Sequence, residues 1–141
     1  MKEPTNEELA YIAGFFDGEG CIYANYTKIS MTIGIAITNT RIEILEWIRE
    51  FFDGSYIQSR VSKNDRAKDP HRLVFTKNIV IANFINSIYP YLILKREQAD
   101  VARMFLMSRE NQIEGPRNKS HYLETNLLIF EALRRLNKKG K

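Results

Sequence analysis

Cysteine is almost absent from this chain of 141 residues: Cys21 stands alone, so no disulfide can close within it. Histidine is nearly as scarce, with His71 and His121 only, and a Cys/His zinc site lacks the ligands it needs. No apolar run approaches the roughly 20 residues of a bilayer crossing. Glu3, Glu7 and Glu8 crowd the start, where a signal peptide would carry positive charge and an apolar core. The expectation is therefore an intracellular, soluble protein of the cytoplasm or nucleoid, without secretion or transit signal. Low-complexity tracts, linkers and internal repeats are also missing. The length suits one domain with a proper core.

What charge there is lies unevenly. The net is +4, yet residues 1–54 hold four Lys/Arg against nine Asp/Glu. Residues 55–77 hold six against two, residues 95–141 eleven against six, and nothing between 78 and 94 is charged. The basic stretch at 55–77 reads as a nucleic-acid surface, and the tail as an ordinary solvated one.

Thr5-Asn-Glu-Glu8 fits a capping box that opens a helix through about residue 17. On that helix Ala10, Ala13, Gly14, Asp17 and Gly18 share one face, while Leu9, Ile12 and Phe16 suit a core. Each helical glycine costs roughly 1 kcal/mol against alanine, so the small-residue face predicts close approach of a second helix. From Cys21 to Asn39 the period becomes two, giving a hairpin. A second capping box, Thr40-Arg-Ile-Glu43, opens a helix through Phe52. Another hairpin follows, Tyr56 to Ser62 and Arg72 to Thr76 around a polar loop at 63–70. Residues 78–89 form an apolar helix broken by Pro90, a helix begins near Lys95, and a last one covers 121–136. The order αββαββα plus extra C-terminal helices is an α+β fold with its core at about 6–110 and an extension at about 116–137.

Alternation assigns the strand faces. If Ile22, Ala24 and Tyr26 point to the core, Cys21, Tyr23, Asn25 and Thr27 point away. Ser30, Thr32, Gly34, Ala36 and Thr38 join them, with Gln58, Arg60, Ser62, Arg72 and Val74 from the second hairpin. Amide, hydroxyl and guanidinium groups read major-groove edges, and small apolar groups suit the thymine methyl. Lys28, Lys63, Arg66, Lys68 and Lys77 are placed for phosphates, which position without specifying sequence. The stretch YIAGFFDGEG, residues 11–20, sets Asp17 and Glu19 at a helix C-terminus, where the macrodipole disfavours carboxylates. A compensating cation is the first expectation.

Residues 12–20, IAGFFDGEG, resemble the LAGLIDADG motif of homing endonucleases in its single-motif form. Element order and charge layout agree over roughly residues 6–110. The resemblance implies an antiparallel sheet saddle lying in the DNA major groove. The motif helices of two copies would pack at a central axis above the active sites. One motif per chain implies a homodimer on a near-palindromic double-stranded site, with Ala10, Ala13, Gly14 and Asp17 as dimer contacts. Glu19 matches the metal-binding second acid, and Gly18 offers its carbonyl. Such oxygen ligands suit Mg²⁺; Mn²⁺ is expected to substitute, and Ca²⁺ to support binding without cleavage. Relatives more often carry Asp where Glu19 stands. Asp17 matches the first acid, a helix-end group rather than a ligand.

Lys95, in YPYLILKREQAD, matches a lysine that stabilises charge on the scissile phosphate or orders the attacking water. Asn39 falls where relatives place a polar residue touching active-site water, and a capping role is its other reading. The expectation is a Mg²⁺-dependent, site-specific DNA endonuclease with Glu19, Lys95 and Asn39 in its active site. The alternative is a non-cleaving module of the same fold, a DNA-binding regulator or an RNA-splicing maturase; only the maturase brings in RNA.

Overall fold

A reciprocal cap starts the first helix. Thr5 Oγ1 accepts from the Glu8 N–H at 3.2 Å while the Glu8 carboxylate accepts from the Thr5 N–H at 2.9 Å, which satisfies two donors that a helix start leaves open. In the computed structural model, which describes residues 2–26, 30–59, 69–110 and 119–139, this helix, α1, spans Asn6–Glu19. Strands β1 (Gly20–Tyr26) and β2 (Met31–Asn39) follow, then helix α2 (Ile42–Arg49). Strands β3 (Tyr56–Ser59) and β4 (His71–Phe75) lead to helix α3 (Asn78–Ile88) and a 3₁₀ turn at Tyr89–Tyr91. Helices α4 (Arg96–Glu110) and α5 (Lys119–Lys139) complete the order. The α+β arrangement and the element sequence are those expected.

The second predicted capping box does not form. Arg41 occupies the N-cap of α2 without a side-chain bond. Asn39 Oδ1 accepts from the Arg41 N–H at 2.8 Å, a local turn that leads into the helix one residue later than a Thr40 cap would. Glu43 instead pairs with Arg41 at 3.6 Å. Its carboxyl is held below the usual range by its own backbone N–H and, further, by Arg41. Helix α2 ends at Arg49 rather than Phe52, yet Phe51 and Phe52 are buried in the turn that follows.

The sheet is antiparallel throughout, in the order β1-β2-β4-β3. One face carries Ile22, Ile33, Ile35, Ile37, Leu73 and Phe75, all buried. Against it lie Ile12 and Phe16 of α1, Leu45 and Ile48 of α2, and Ile81, Phe84 and Ile88 of α3. Phe84 is the hub: its ring centroid lies 5.4 Å from Phe16, 4.9 Å from Phe52 and 4.5 Å from Phe75. Helix α5 runs along the edge strand β1. Its Ile129 and Leu133 join the core, Phe130 stacks at 5.4 Å on Tyr26, and Asn137 Nδ2 donates to the Ile22 carbonyl at 2.9 Å. Packing the helices on one face leaves the other open.

Candidate active site and nucleic-acid interface

Two residues along a helix turn about 200°, so neighbours at that spacing face opposite ways. Asp17 turns inward and is 8% exposed, whereas Glu19 is exposed. The Asp17 carboxylate accepts the backbone N–H of Ile93 at 2.8 Å and of Lys95 at 3.0 Å. These donors sit just ahead of α4, so the carboxylate caps a helix start from across the fold. Lys95 answers in kind: its Nζ donates to the Asp17 carbonyl at 2.7 Å, placing a cation on the negative end of α1. The compensation expected of a cation thus comes, for Asp17, from within the chain. No ion pair or side-chain hydrogen bond engages Glu19 among the described residues.

Gly20 ends the helix in an extended conformation, its N–H bonded to the Phe16 carbonyl. A Cβ there would stand 2.0 Å from the Phe16 ring, so glycine lets the backbone leave the helix directly over that ring. Gly20 pairs with Ile37 on β2, and Asn39 lies one pleat further along. Asn39 stands opposite His71, which stands opposite Ser59, with Ser59 Oγ and His71 Nδ1 2.7 Å apart. The structure therefore adds His71 and Ser59 to the end of the sheet where Asn39 lies. Only the strand register could have revealed this row.

No group of three or more His, Cys, Asp or Glu side chains able to hold a metal occurs among the described residues. The donors at the end of α1 still fit Mg²⁺, which commonly takes one or two protein carboxylates and completes its shell with water and substrate phosphate. Glu19 presents a solvent-facing carboxylate, and exposed Gly18 beside it offers a backbone oxygen.

The strand register puts Cys21, Tyr23 and Asn25 on the open face opposite Ala36, Gly34 and Thr32. Thr38 faces Arg72, Ala36 faces Val74, and β3 adds Gln58 opposite Arg72 and Tyr56 opposite Val74. Asn25, Thr32, Gln58, Arg72 and Ser30 are exposed. Tyr56 escaped the sequence reading, although the alternation that chose Gln58 also selects it. Val74 needs correction: it lies on the open face but is only 3% exposed, as is Ala36 at 4%, so a base cannot reach it. Thr27, Lys28, Arg60, Ser62, Lys63, Arg66 and Lys68 lie outside the described residues.

The small-residue face of α1 also needs correction. Ala13 is fully buried and Asp17 nearly so within this one chain; neither can serve as a free contact surface. Ala10, Gly14 and Gly18 remain exposed, and a Cβ added to Gly14 or Gly18 would meet nothing within 4 Å. Beside this strip Glu7, Glu8, Tyr11, Ile44 and Trp47 line a shallow groove of about 390 Å³. Tyr11 is 58% exposed and meets Trp47 edge-on at 5.7 Å.

Comparison with known proteins agrees with this geometry. The LAGLIDADG-like domain family matches residues 6–89. No curated protein sequence matches the chain. Among solved structures, the homing endonuclease I-CvuI, in complex with its target in the presence of Ca²⁺, superposes with a TM-score of 0.74 at 19% identity, covering 93% of this chain and 82% of that one. The archaeal intron-encoded homing endonuclease I-Vdi141I, complexed with DNA, gives 0.72 at 19% identity over 93% and 84%. The homing endonuclease I-TnaI gives 0.68 at 17% identity over 99% and 100%. At such identities the likeness is one of fold.

Proposed function

The chain belongs to the LAGLIDADG-like family, and on that premise we propose that two copies of it form a site-specific endonuclease that hydrolyses both strands of a near-palindromic DNA site. The observation that carries this reading is the split between the two acids: Asp17 is consumed by the fold, while Glu19 stands exposed at the end of the motif helix, where the chain passes into β1. On this reading Glu19 and the Gly18 carbonyl would hold Mg²⁺, which when bound would supply activation of water and charge neutralisation for phosphodiester hydrolysis. Lys95 fixes the end of α1 through the Asp17 carbonyl and keeps a positive charge beside the ligands. Asn39, at the end of β2, lies two residues beyond Ile37, the partner of Gly20.

Asn25, Thr32, Gln58 and Arg72 are exposed on the open face and suit base edges. The bare strip at Ala10, Gly14 and Gly18, with Tyr11 and Trp47 beside it, suits a second copy of α1. The DNA complexes of I-CvuI and I-Vdi141I support a nucleic-acid partner for this fold.

The test is selection from a randomised duplex library. In Mg²⁺, wild type should enrich cleaved products of one two-fold site, with Mn²⁺ substituting. Glu19→Gln should bind that site in Ca²⁺ with affinity close to wild type and cleave nothing in Mg²⁺. Cleavage by Glu19→Gln at the wild-type rate would refute the metal assignment. Selective binding by wild type without cleavage would identify a non-cleaving module, and preference for structured RNA over duplex DNA would single out a maturase.

A further inference from the structure

Two side chains and a glycine, on three adjacent strands, come together on the open face. Tyr23 of β1 stands opposite Gly34 of β2, and its ring lies so close that a Cβ on Gly34 would fall 2.4 Å from the ring carbon bearing the hydroxyl. From β4, the Arg72 guanidinium reaches to 5.5 Å from the centre of that ring, within the range of a cation–π contact. Arg72 pairs with Thr38 rather than Gly34. Four residues of strand, about 13 Å, separate those two levels. For guanidinium and ring to meet, the two side chains lean toward each other over the intervening Ala36 and Val74. This accounts for the burial of two residues that point away from the core.

We propose that Gly34 is a specificity-determining position: by leaving room for the Tyr23 ring to lie across β2, it fixes where Arg72 sits on the sheet face and therefore which base Arg72 reads. The inference rests on the proposed role of this face in binding DNA. No ion pair engages Arg72 among the described residues, and among them the Tyr23 ring is the neighbour that limits its rotamers. A guanidinium held in place loses less freedom when it engages a base than one free to sample its rotamers. Gly34 acts through Tyr23 and Arg72 without touching DNA itself. Glycine inside a strand offers no side chain to pack, and here that gap is filled by the neighbouring ring.

Gly34→Ala is a clean perturbation, since the added methyl meets the far end of a side chain that can swing away. Tyr23→Leu removes the ring, and Tyr23→Phe keeps it. In the free protein, NMR should show the Arg72 side-chain protons shifted upfield by the ring in wild type and Tyr23→Phe, and unshifted in Gly34→Ala and Tyr23→Leu. Binding selection from a randomised duplex library in Ca²⁺ should then show Gly34→Ala and Tyr23→Leu losing preference at the same base positions as Arg72→Ala. The loss there should be about 10- to 100-fold, with other positions unchanged and Tyr23→Phe retaining the wild-type profile. Absence of the ring-current shift in wild type overturns the proposal. So does an unchanged profile in both Gly34→Ala and Tyr23→Leu when Arg72→Ala alters it. If wild type shows the shift but enriches no sequence, the DNA reading of the face fails and the specificity role falls with it; the NMR result separates that outcome from a missing stack.

Discussion

Asp17→Asn tests how α1 is tied to α4. The wild-type carboxylate accepts two backbone N–H groups, at 2.8 and 3.0 Å, from a site only 8% exposed. Asparagine keeps one acceptor oxygen and turns an NH₂ toward the second donor, so one bond is lost and one buried N–H is left unpaired. Hydrogen bonds to charged groups contribute about 1.5–3 kcal/mol, and an unsatisfied donor costs about 1–3 kcal/mol. The two figures overlap rather than add, and a loss of about 2–4 kcal/mol is expected, a large share of the 5–15 kcal/mol or so that holds a typical domain together. At roughly 3 °C per kcal/mol for a domain of this size, Tm should fall by about 6–12 °C. Urea unfolding at neutral pH and one fixed protein concentration measures the change, and hydrogen exchange at the Ile93 and Lys95 amides locates it. Glu19→Gln is the control, because replacing an exposed side chain should cost no more than about 0.5 kcal/mol. If Asp17→Asn is as mild as Glu19→Gln, or if the two amides stay protected, the cap is misassigned.

Gly14→Leu places its side chain in open space, so the chain should fold with about 1 kcal/mol more helix stability while sedimentation shows the dimer dissociating; dimers of wild-type affinity would place the interface elsewhere. Tyr89 donates to Asp100 at 2.6 Å, a bond that holds its pKa above the usual 10.0. A raised folded pKa means that this contribution is present in full below the unfolded value and fades as pH rises through the folded one. Tyr89→Phe should therefore lose less stability than wild type above about pH 10, and identical alkaline unfolding curves would contradict it. Asn137→Ala removes the 2.9 Å bond to the Ile22 carbonyl; about 1 kcal/mol of stability should go, together with exchange protection in the C-terminal half of α5, and unchanged protection there would show that the bond does not anchor the helix.

The parts of the fold that the sequence made legible are those governed by strict periods. Alternation along 21–39 gave both the strands and their faces, and the register places Asn25 opposite Thr32 and Thr38 opposite Arg72 on one side. The errors lie where a pattern meets an unseen neighbour. A stripe built from steps of three and four residues spans about 100° of helix. The boundary between core and open surface runs through that stripe, with Ala10, Gly14 and Gly18 outside it and Ala13 and Asp17 inside. Period two identified the face of Val74 but not the Tyr23 and Arg72 side chains leaning across it. The Thr40 cap is absent because the helix starts one residue later, with Arg41 at its N-cap after the turn closed by Asn39. Helix α5 was visible as an amphipathic stretch, yet its docking along β1 depends on contacts such as Asn137 to Ile22, across 115 residues of chain.

The two acids of the opening motif share an electrostatic problem and meet it in different ways. Both stand at the negative end of α1, where a carboxylate is disfavoured by some tenths of a kcal/mol to about 1 kcal/mol. Asp17 is compensated by the N–H groups ahead of α4, and the Lys95 ammonium offsets the helix end itself. Those bonds consume the Asp17 oxygens and make that carboxylate a poor ligand for anything else. Glu19, rotated to the far side of the helix, receives none of this help from the described residues. Bringing DNA phosphate toward it adds further negative charge, and that encounter becomes favourable once a divalent cation lies between them. The proposed metal role thus falls on the acid of the motif that the described residues leave uncompensated.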